Sequence, residues 1–188
     1  WTGICAYNPN DAEVSLEITS YSDAGDILST DNKTILPGGK YIGPFRNLDL
    51  DENSAWFEIT ADAPITGFEL FGRKNGSMLA GFTAVGIKHT TGIFPKIETD
   101  GWTGIAFVNT GSATAVVTLR AYNNSGIRIA EEPITVCPNC KKVGWPEELF
   151  IDDISGASYL TYSSTQPVVG FQLNGSSNGM MLDGLPGM

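Results

Sequence analysis

Basic residues, histidine and cysteine are all scarce in this sequence, and each shortage closes off a class of function. Lys and Arg number 11 against 21 Asp and Glu, for a formal net charge of −10. No basic stripe offsets that acidity, so phosphate backbones and anionic membrane surfaces are repelled, and nucleic acid is not expected as a partner. The one histidine, His89, leaves a Ser-His-Asp arrangement or a histidine-based metal site a single place to draw on. Three cysteines are too few for a four-cysteine zinc site. There is no run of about 18 apolar residues, so membrane insertion by a helix is not expected. H-E-x-x-H is missing too. No catalytic residue and no cofactor are expected. The chain opens on Trp1 without a Met, which reads as a processed or excised piece of a longer protein.

What the sequence does contain, it contains twice. Trp1 to Tyr21 reads WTGICAYNPNDAEVSLEITSY, and Trp102 to Tyr122 reads WTGIAFVNTGSATAVVTLRAY. The two align without a gap, with Trp, Thr, Gly, Ile, Asn, Ala and Tyr identical. The alignment continues from Trp1–Leu48 onto Trp102–Leu149 and, after two extra residues in the second copy, from Ser54–Val85 onto Ala157–Met188. A period this long points to tandem domains rather than a solenoid of short repeats. The expected division is 1–86 for the first domain, 87–101 for a connector and 102–188 for the second. Within the connector, Gly92 to Glu98 reads as a strand leading into the second copy, with Pro95 confining it to a sheet edge or a strand end. The first copy has no such segment before it, and one domain is then short of a strand that its neighbour or upstream sequence supplies.

Inside each copy the hydrophobic period is two. Leu16, Ile18 and Ser20 alternate with Glu17, Thr19 and Tyr21, and Val117, Leu119 and Ala121 alternate with Thr118, Arg120 and Tyr122. Turn signals break the pattern at Asn8-Pro9, Asp23 to Gly25, Pro37 to Gly39, Asn75-Gly76, Asn124 to Gly126 and Asn178-Gly179. Short strands at this spacing predict an all-β chain of two tandem antiparallel β-sandwich domains, immunoglobulin-like in layout, with a small closed barrel as the alternative. Asn75-Gly76 and Asn178-Gly179 predict hairpins. The parity of the flanking strands assigns Phe68, Leu70, Phe171 and Leu173 to the cores and turns Glu69, Phe71, Gln172 and Asn174 outward. Helix is limited to about one turn at Pro146 to Phe150, with a short counterpart at Phe45 to Leu48.

Cys137-Pro138-Asn139-Cys140 is the sharpest motif. Its C-x-x-C spacing serves a turn-closing disulfide, half of a metal site, a pair of reduced thiols or a redox centre. These residues align with the sulfur-free turn Leu36-Pro37-Gly38-Gly39, and β-pattern flanks them on both sides where a redox motif wants a helix start. A disulfide at Cys137 and Cys140 is the leading reading, and it favours an oxidising, extracytoplasmic setting. Cys5, aligned with Ala106, reads as a half-buried free thiol. Asp49, Asp51 and Asn53 space oxygen ligands as calcium loops do. However, Ser54 and Thr60 stand where an EF-hand needs Gly and Glu, so they remain weak calcium candidates beside a plain acidic loop. Tyr21, Tyr122 and Trp145 are weak candidates for stacking on sugar rings, against a packing role for most of the aromatic residues.

These motifs resemble the units of a repeat family found in bacterial secreted and cell-surface proteins. The resemblance rests on Trp1–Pro9 and Trp102–Thr110, Ser20–Gly25 and Ala121–Gly126, Leu36–Gly39, Gly67–Gly72, Leu79–Phe82 and Leu182–Pro186. Gly92–Ile97 resembles the aromatic-proline strand that precedes each such unit. The resemblance implies an extracytoplasmic β-domain array and brings no catalytic residues. The expected function is a non-catalytic surface or secreted module serving as scaffold, spacer or adhesion element, with an unidentified protein or glycan, or neighbouring repeats of a longer chain, as partner. A carbohydrate-binding module is the alternative, and a metal-dependent hydrolase fragment is a third reading.

Overall fold

A computed structural model of the chain describes residues 1–73 and 78–187. The Asn75-Gly76 turn expected from the sequence lies outside the described residues. The chain is nearly all β, its strands pair antiparallel, and it divides into two compact units, Trp1–Ala84 and Val85–Met188.

The first unit runs through β1 (Thr2–Tyr7), β2 (Val14–Tyr21), β3 (Ile27–Ile35), β4 (Lys40–Pro44), β5 (Trp56–Ala61), β6 (Thr66–Gly72) and β7 (Leu79–Thr83). A four-stranded sheet has the order β4-β1-β6-β7, and a three-stranded sheet the order β3-β2-β5. The alternation in β2 behaves as expected: Val14, Leu16, Ile18 and Ser20 are buried while Ser15 and Glu17 are exposed. Tyr21, opposite Trp56 of β5 and stacked on it, is buried as well.

The second unit runs through β8 (His89–Phe94), β9 (Gly101–Val108), β10 (Ala115–Tyr122), β11 (Arg128–Val136), β12 (Lys141–Gly144), the one-turn helix α1 (Pro146–Leu149), β13 (Tyr159–Ser176) and β14 (Leu182–Pro186). Pro146 opens α1, where a missing N–H costs nothing, and the Glu148 carboxylate accepts from the Trp145 N–H at 3.2 Å. Strand β13 is long enough to serve two groups of strands. Its first half lies between β10 and β8, and its second half between β9 and β14. Pro133 is tolerated in β11 because that strand ends the sheet order. One apolar core collects Phe94, Ile105, Phe107, Val117, Leu119, Val136, Leu160 and Tyr162 from strands all around the unit.

The strand expected within residues 87–101 is present as β8: it is hydrogen-bonded to β13, and Phe94 is completely buried. One expectation changes. The parity assigned to β6 and to the end of β13 is reversed. Gln172 and Asn174 are buried, whereas Phe68 is 42% exposed and Leu70, Phe171 and Leu173 are only half-buried. The cause is the neighbouring strand. Residues directly opposite in a ladder share a face. Gln172 pairs with the buried Ile105 and Asn174 with the buried Thr103, just as Glu69 pairs with the buried Ile4. β1 and β9 therefore decide which face of β6 and β13 turns inward.

Candidate functional site

The cysteine motif forms a compact turn between β11 and β12. The Cys137 and Cys140 sulfurs are at bonding distance, their Cα atoms are 5.1 Å apart, and the Cys140 N–H donates to the Cys137 carbonyl at 3.1 Å. Pro138 takes the second position, and Asn139 has φ +58°, the pattern of a type II turn. In the first unit Gly39 donates to the Leu36 carbonyl at 2.9 Å, with Gly38 at φ +63°. The same turn is thus built with and without sulfur.

Each turn is gripped from beneath by a buried asparagine, a role that reading the residues alone missed. Asn8 Nδ2 donates to the carbonyls of Ala12, Ile35 and Leu36, and its Oδ1 accepts from the Asn10 N–H. Asn109 Nδ2 donates to the carbonyls of Ala113 and Val136, and its Oδ1 accepts from the Gly111 N–H. Their main-chain N–H groups donate to Gly39 and Cys140 respectively. The available signal was the recurrence of Asn at the same place in both copies.

A second buried polar group secures the segment that follows β8. Gln172 Nε2 donates to the Lys96 carbonyl and, at 2.9 Å, to Asn174 Oδ1. Thr103 Oγ1 donates to the same Asn174 oxygen at 2.8 Å and accepts from the Glu98 N–H at 2.9 Å. Just before this segment, the Phe94 ring packs against Phe107 and Tyr162, at centroid distances of 5.6 Å each. It also lies on Gly170 and Gly187, and at Gly187 a Cβ would collide with it. Tyr162 Oη donates to the Gly187 carbonyl at 3.0 Å, and burial pushes the phenol's pKa above its ordinary value.

The acidic loop is held by its own main chain. Asp51 Oδ1 accepts from the Asn53 N–H at 2.8 Å and from Asn53 Nδ2 at 3.0 Å, a local side-chain turn in which the amide nitrogen of Asn53 faces the carboxylate. The Asp49 N–H donates to Asp31 Oδ2 at 3.0 Å, and Lys33 Nζ lies 2.7 Å from the same oxygen. Burial opposes the charge on Asp31. The hydrogen bond from Lys33, the Asp49 N–H and the Lys33 charge outweigh it and hold the carboxyl below its usual range. Among the described residues, no three His, Cys, Asp or Glu side chains gather as metal ligands. Asp153 is likewise held low, by the backbone and then the side chain of Ser155.

The aromatic candidates lie in separate pairs. Tyr21, 8% exposed, stacks on Trp56 with centroids 4.1 Å apart, so its ring is part of the cross-strand packing rather than an open sugar platform. Burial, then Glu58 and Glu17, raises the Tyr21 pKa. Tyr122 is half-buried and stacks on Tyr159 at 5.2 Å. Trp145 is 44% exposed and meets Trp102 edge-on, at 79° and 5.4 Å. Cys5 is a half-buried free thiol, and His89 is exposed on β8. A G-x-S-x-G spacing at Gly175–Gly179 also escaped sequence reading. Ser177 sits in the turn between two antiparallel strands, with its Oγ 2.9 Å from Asp100 Oδ1, and not at the strand-to-helix elbow such a nucleophile needs.

No family model and no curated protein sequence matches the chain. Among solved structures, it is similar to Thermotoga maritima 1070 at 17% identity and TM-score 0.45, over 54% of this chain and 94% of that one. It is similar to the Anabaena sensory rhodopsin transducer at 16% identity and TM-score 0.38, over 46% and 97%. A GH2 β-galacturonidase from Eisenbergiella tayi is similar at 9% identity and TM-score 0.20, over 98% of this chain and 33% of that one. At these values no property of those proteins transfers to this chain.

Proposed function

We propose that the chain is a non-catalytic extracytoplasmic module of two β-sandwich domains, immunoglobulin-like and related by duplication, acting as a surface scaffold, spacer or interaction element. One observation carries the reading: the buried polar side chains Asn8, Asn109, Gln172 and Asn174 are used to hold main-chain segments and one another. Catalytic polar groups instead converge on a space where a substrate can sit. The matching bonds of Asn8 and Asn109 support the duplication. The Cys137–Cys140 pair supports an oxidising compartment, and the sequence resemblance supports a bacterial cell surface.

Of the three aromatic candidates, Trp145 is the exposed one, and that exposure is what favours a glycan-binding role. One experiment addresses both readings. The purified chain is assayed with chromogenic glycosides, esters and phosphates, and in parallel probed for retention on a glycan array and on cell-surface protein extracts. The module reading expects no turnover above a heat-denatured control, together with saturable retention by protein. Turnover of any substrate would end it, and retention by glycans that is lost in Trp145→Ala would replace it with the carbohydrate-binding alternative.

A further inference from the structure

The two units differ most where β8 lies. In the second unit, β8 pairs with the first half of β13, Phe94 opposite Leu160 and Gly92 opposite Tyr162. In the first unit, β5 occupies the place of that half of β13, and the three-stranded sheet ends there among the described residues. The core records the difference. Leu160, Tyr162 and Val168 are essentially sealed, whereas the corresponding Phe57, Ile59 and Ile65 are each only half-buried. Gly187, buried under Phe94, corresponds to the exposed Ala84. Even so, Ala84 donates to the Gly67 carbonyl at 3.0 Å just as Gly187 donates to Gly170 at 2.9 Å. The first unit keeps the walls of the slot without the strand that fills it.

We propose that the β5 edge of the first unit is a strand-acceptor site, and that its ligand is an extended peptide segment with the chemistry of residues 86–98: an apolar aromatic residue entering the core, closely followed by proline. This inference rests on the correspondence of the two units stated above. An edge strand supplies a row of main-chain donors and acceptors, and a core pocket beneath alternate side chains gives selectivity. In the register of β8, the ligand's aromatic residue lies opposite Phe57 and the residue two positions earlier lies opposite Ile59. Ala6 stands where the second unit has Phe107, which opens room beside the aromatic ring. Ala84 stands where it has Gly187, which shifts the ring toward that room. Ile59 replaces Tyr162, whose ring forbids a side chain at Gly92, so the acceptor tolerates a larger residue at that position. Charge agrees: no Lys or Arg lies between Arg46 and Arg73, while Glu58 and Asp62 do, and residues 86–98 carry Lys88 and Lys96 against the single acid Glu98.

The test adds a fluorescent peptide of residues 86–98 to the whole chain and follows anisotropy and amide hydrogen exchange. Expected are saturable binding at one site per chain and new protection at Phe57–Thr60. Replacing the peptide's Phe by Ala should weaken binding by at least about tenfold, replacing the glycine that corresponds to Gly92 by Ala should not weaken it, and Glu58→Lys in the chain should weaken it several-fold. No binding at millimolar peptide overturns the proposal. So does protection at Tyr159–Ser164 instead, which means exchange with β8. Concentration-dependent dimers that protect Phe57–Thr60 without peptide also overturn it, making a second copy of the chain the occupant. Turnover and retention, which test the module reading, are separate measurements, so either idea fails without the other.

Discussion

The ring of Tyr162 lies directly over the backbone of Gly92, so close that any Cβ at residue 92 would overlap it. The ring cannot swing away, because it is 2% exposed, packs on Phe94 and Phe107, and is fixed by its bond to Gly187. Gly92→Ala should therefore destabilise the second unit by about 1–3 kcal/mol, the usual cost of overpacking. Adding Tyr162→Leu should recover part of that loss. A double-mutant cycle read by urea denaturation, with exchange at β8 as the local probe, measures the coupling, and simple additivity would contradict the steric account.

Asn8 and Asn109 are fully buried, and each joins two chain segments that would otherwise leave carbonyls unsatisfied. Asn8→Ala and Asn109→Ala should each cost about 2 kcal/mol or somewhat more. The Asp variants should do at least as badly at neutral pH, since a carboxylate cannot donate to the Ile35 and Val136 carbonyls. Denaturation midpoints of the four variants test this. A loss confined to one unit in each case, seen in the exchange rates of β3 or β11, is the expected pattern.

These two relationships also mark how far the sequence could be read. The alternation of Leu16 with Glu17 and of Val117 with Thr118 placed strands and core because burial imposes period two directly on neighbouring residues. The turns at Gly38 and Asn139 were legible because positive φ selects for those residue types. The face of β13 was not legible. Gln172 and Asn174 read as solvent-facing because their partners, the Lys96 carbonyl and Thr103, are more than seventy residues away. Asn109 was visible as a repeated residue, but its function depends on the path of residues 109–113 around it. The sequence pattern reads as a strand from Gly92 to Glu98, whereas β8 runs from His89 to Phe94. That its Phe94 would become a centre of the second core required knowing that Gly170 and Gly187 leave room for it.

Asp31 predicts an acid-sensitive step in the first unit. Its carboxyl is held below the usual value in the folded chain, so the unfolded state binds the proton more readily. The stabilisation is then complete above the ordinary carboxylate pKa and is lost as pH falls through the lower folded value. Asp31→Asn should lower stability at pH 7 by no more than about 1 kcal/mol, in keeping with a partly exposed pair. The difference from the unsubstituted chain should disappear toward about pH 2. Urea titrations at the two pH values make the comparison, and a difference that persists unchanged at low pH would remove Asp31 from the explanation.

The Cys137–Cys140 bridge closes a very short loop around a turn that the first unit makes with Leu36 and Gly39. Constraint of the unfolded chain by so short a loop contributes about 2 kcal/mol in the chain-entropy description. Because Pro138 and Asn139 already favour the turn, the folded conformation does not depend on the bond. Reduction, or the pair Cys137→Leu with Cys140→Gly that copies the first unit, should lower the melting temperature of the second unit by several degrees without unfolding it. Thiol alkylation of the denatured, unreduced protein should modify Cys5 alone, and all three cysteines after reductant. Three modified cysteines before reduction, in protein isolated from its native compartment, would mean that the pair is kept as thiols and would withdraw the support it gives to an extracytoplasmic setting.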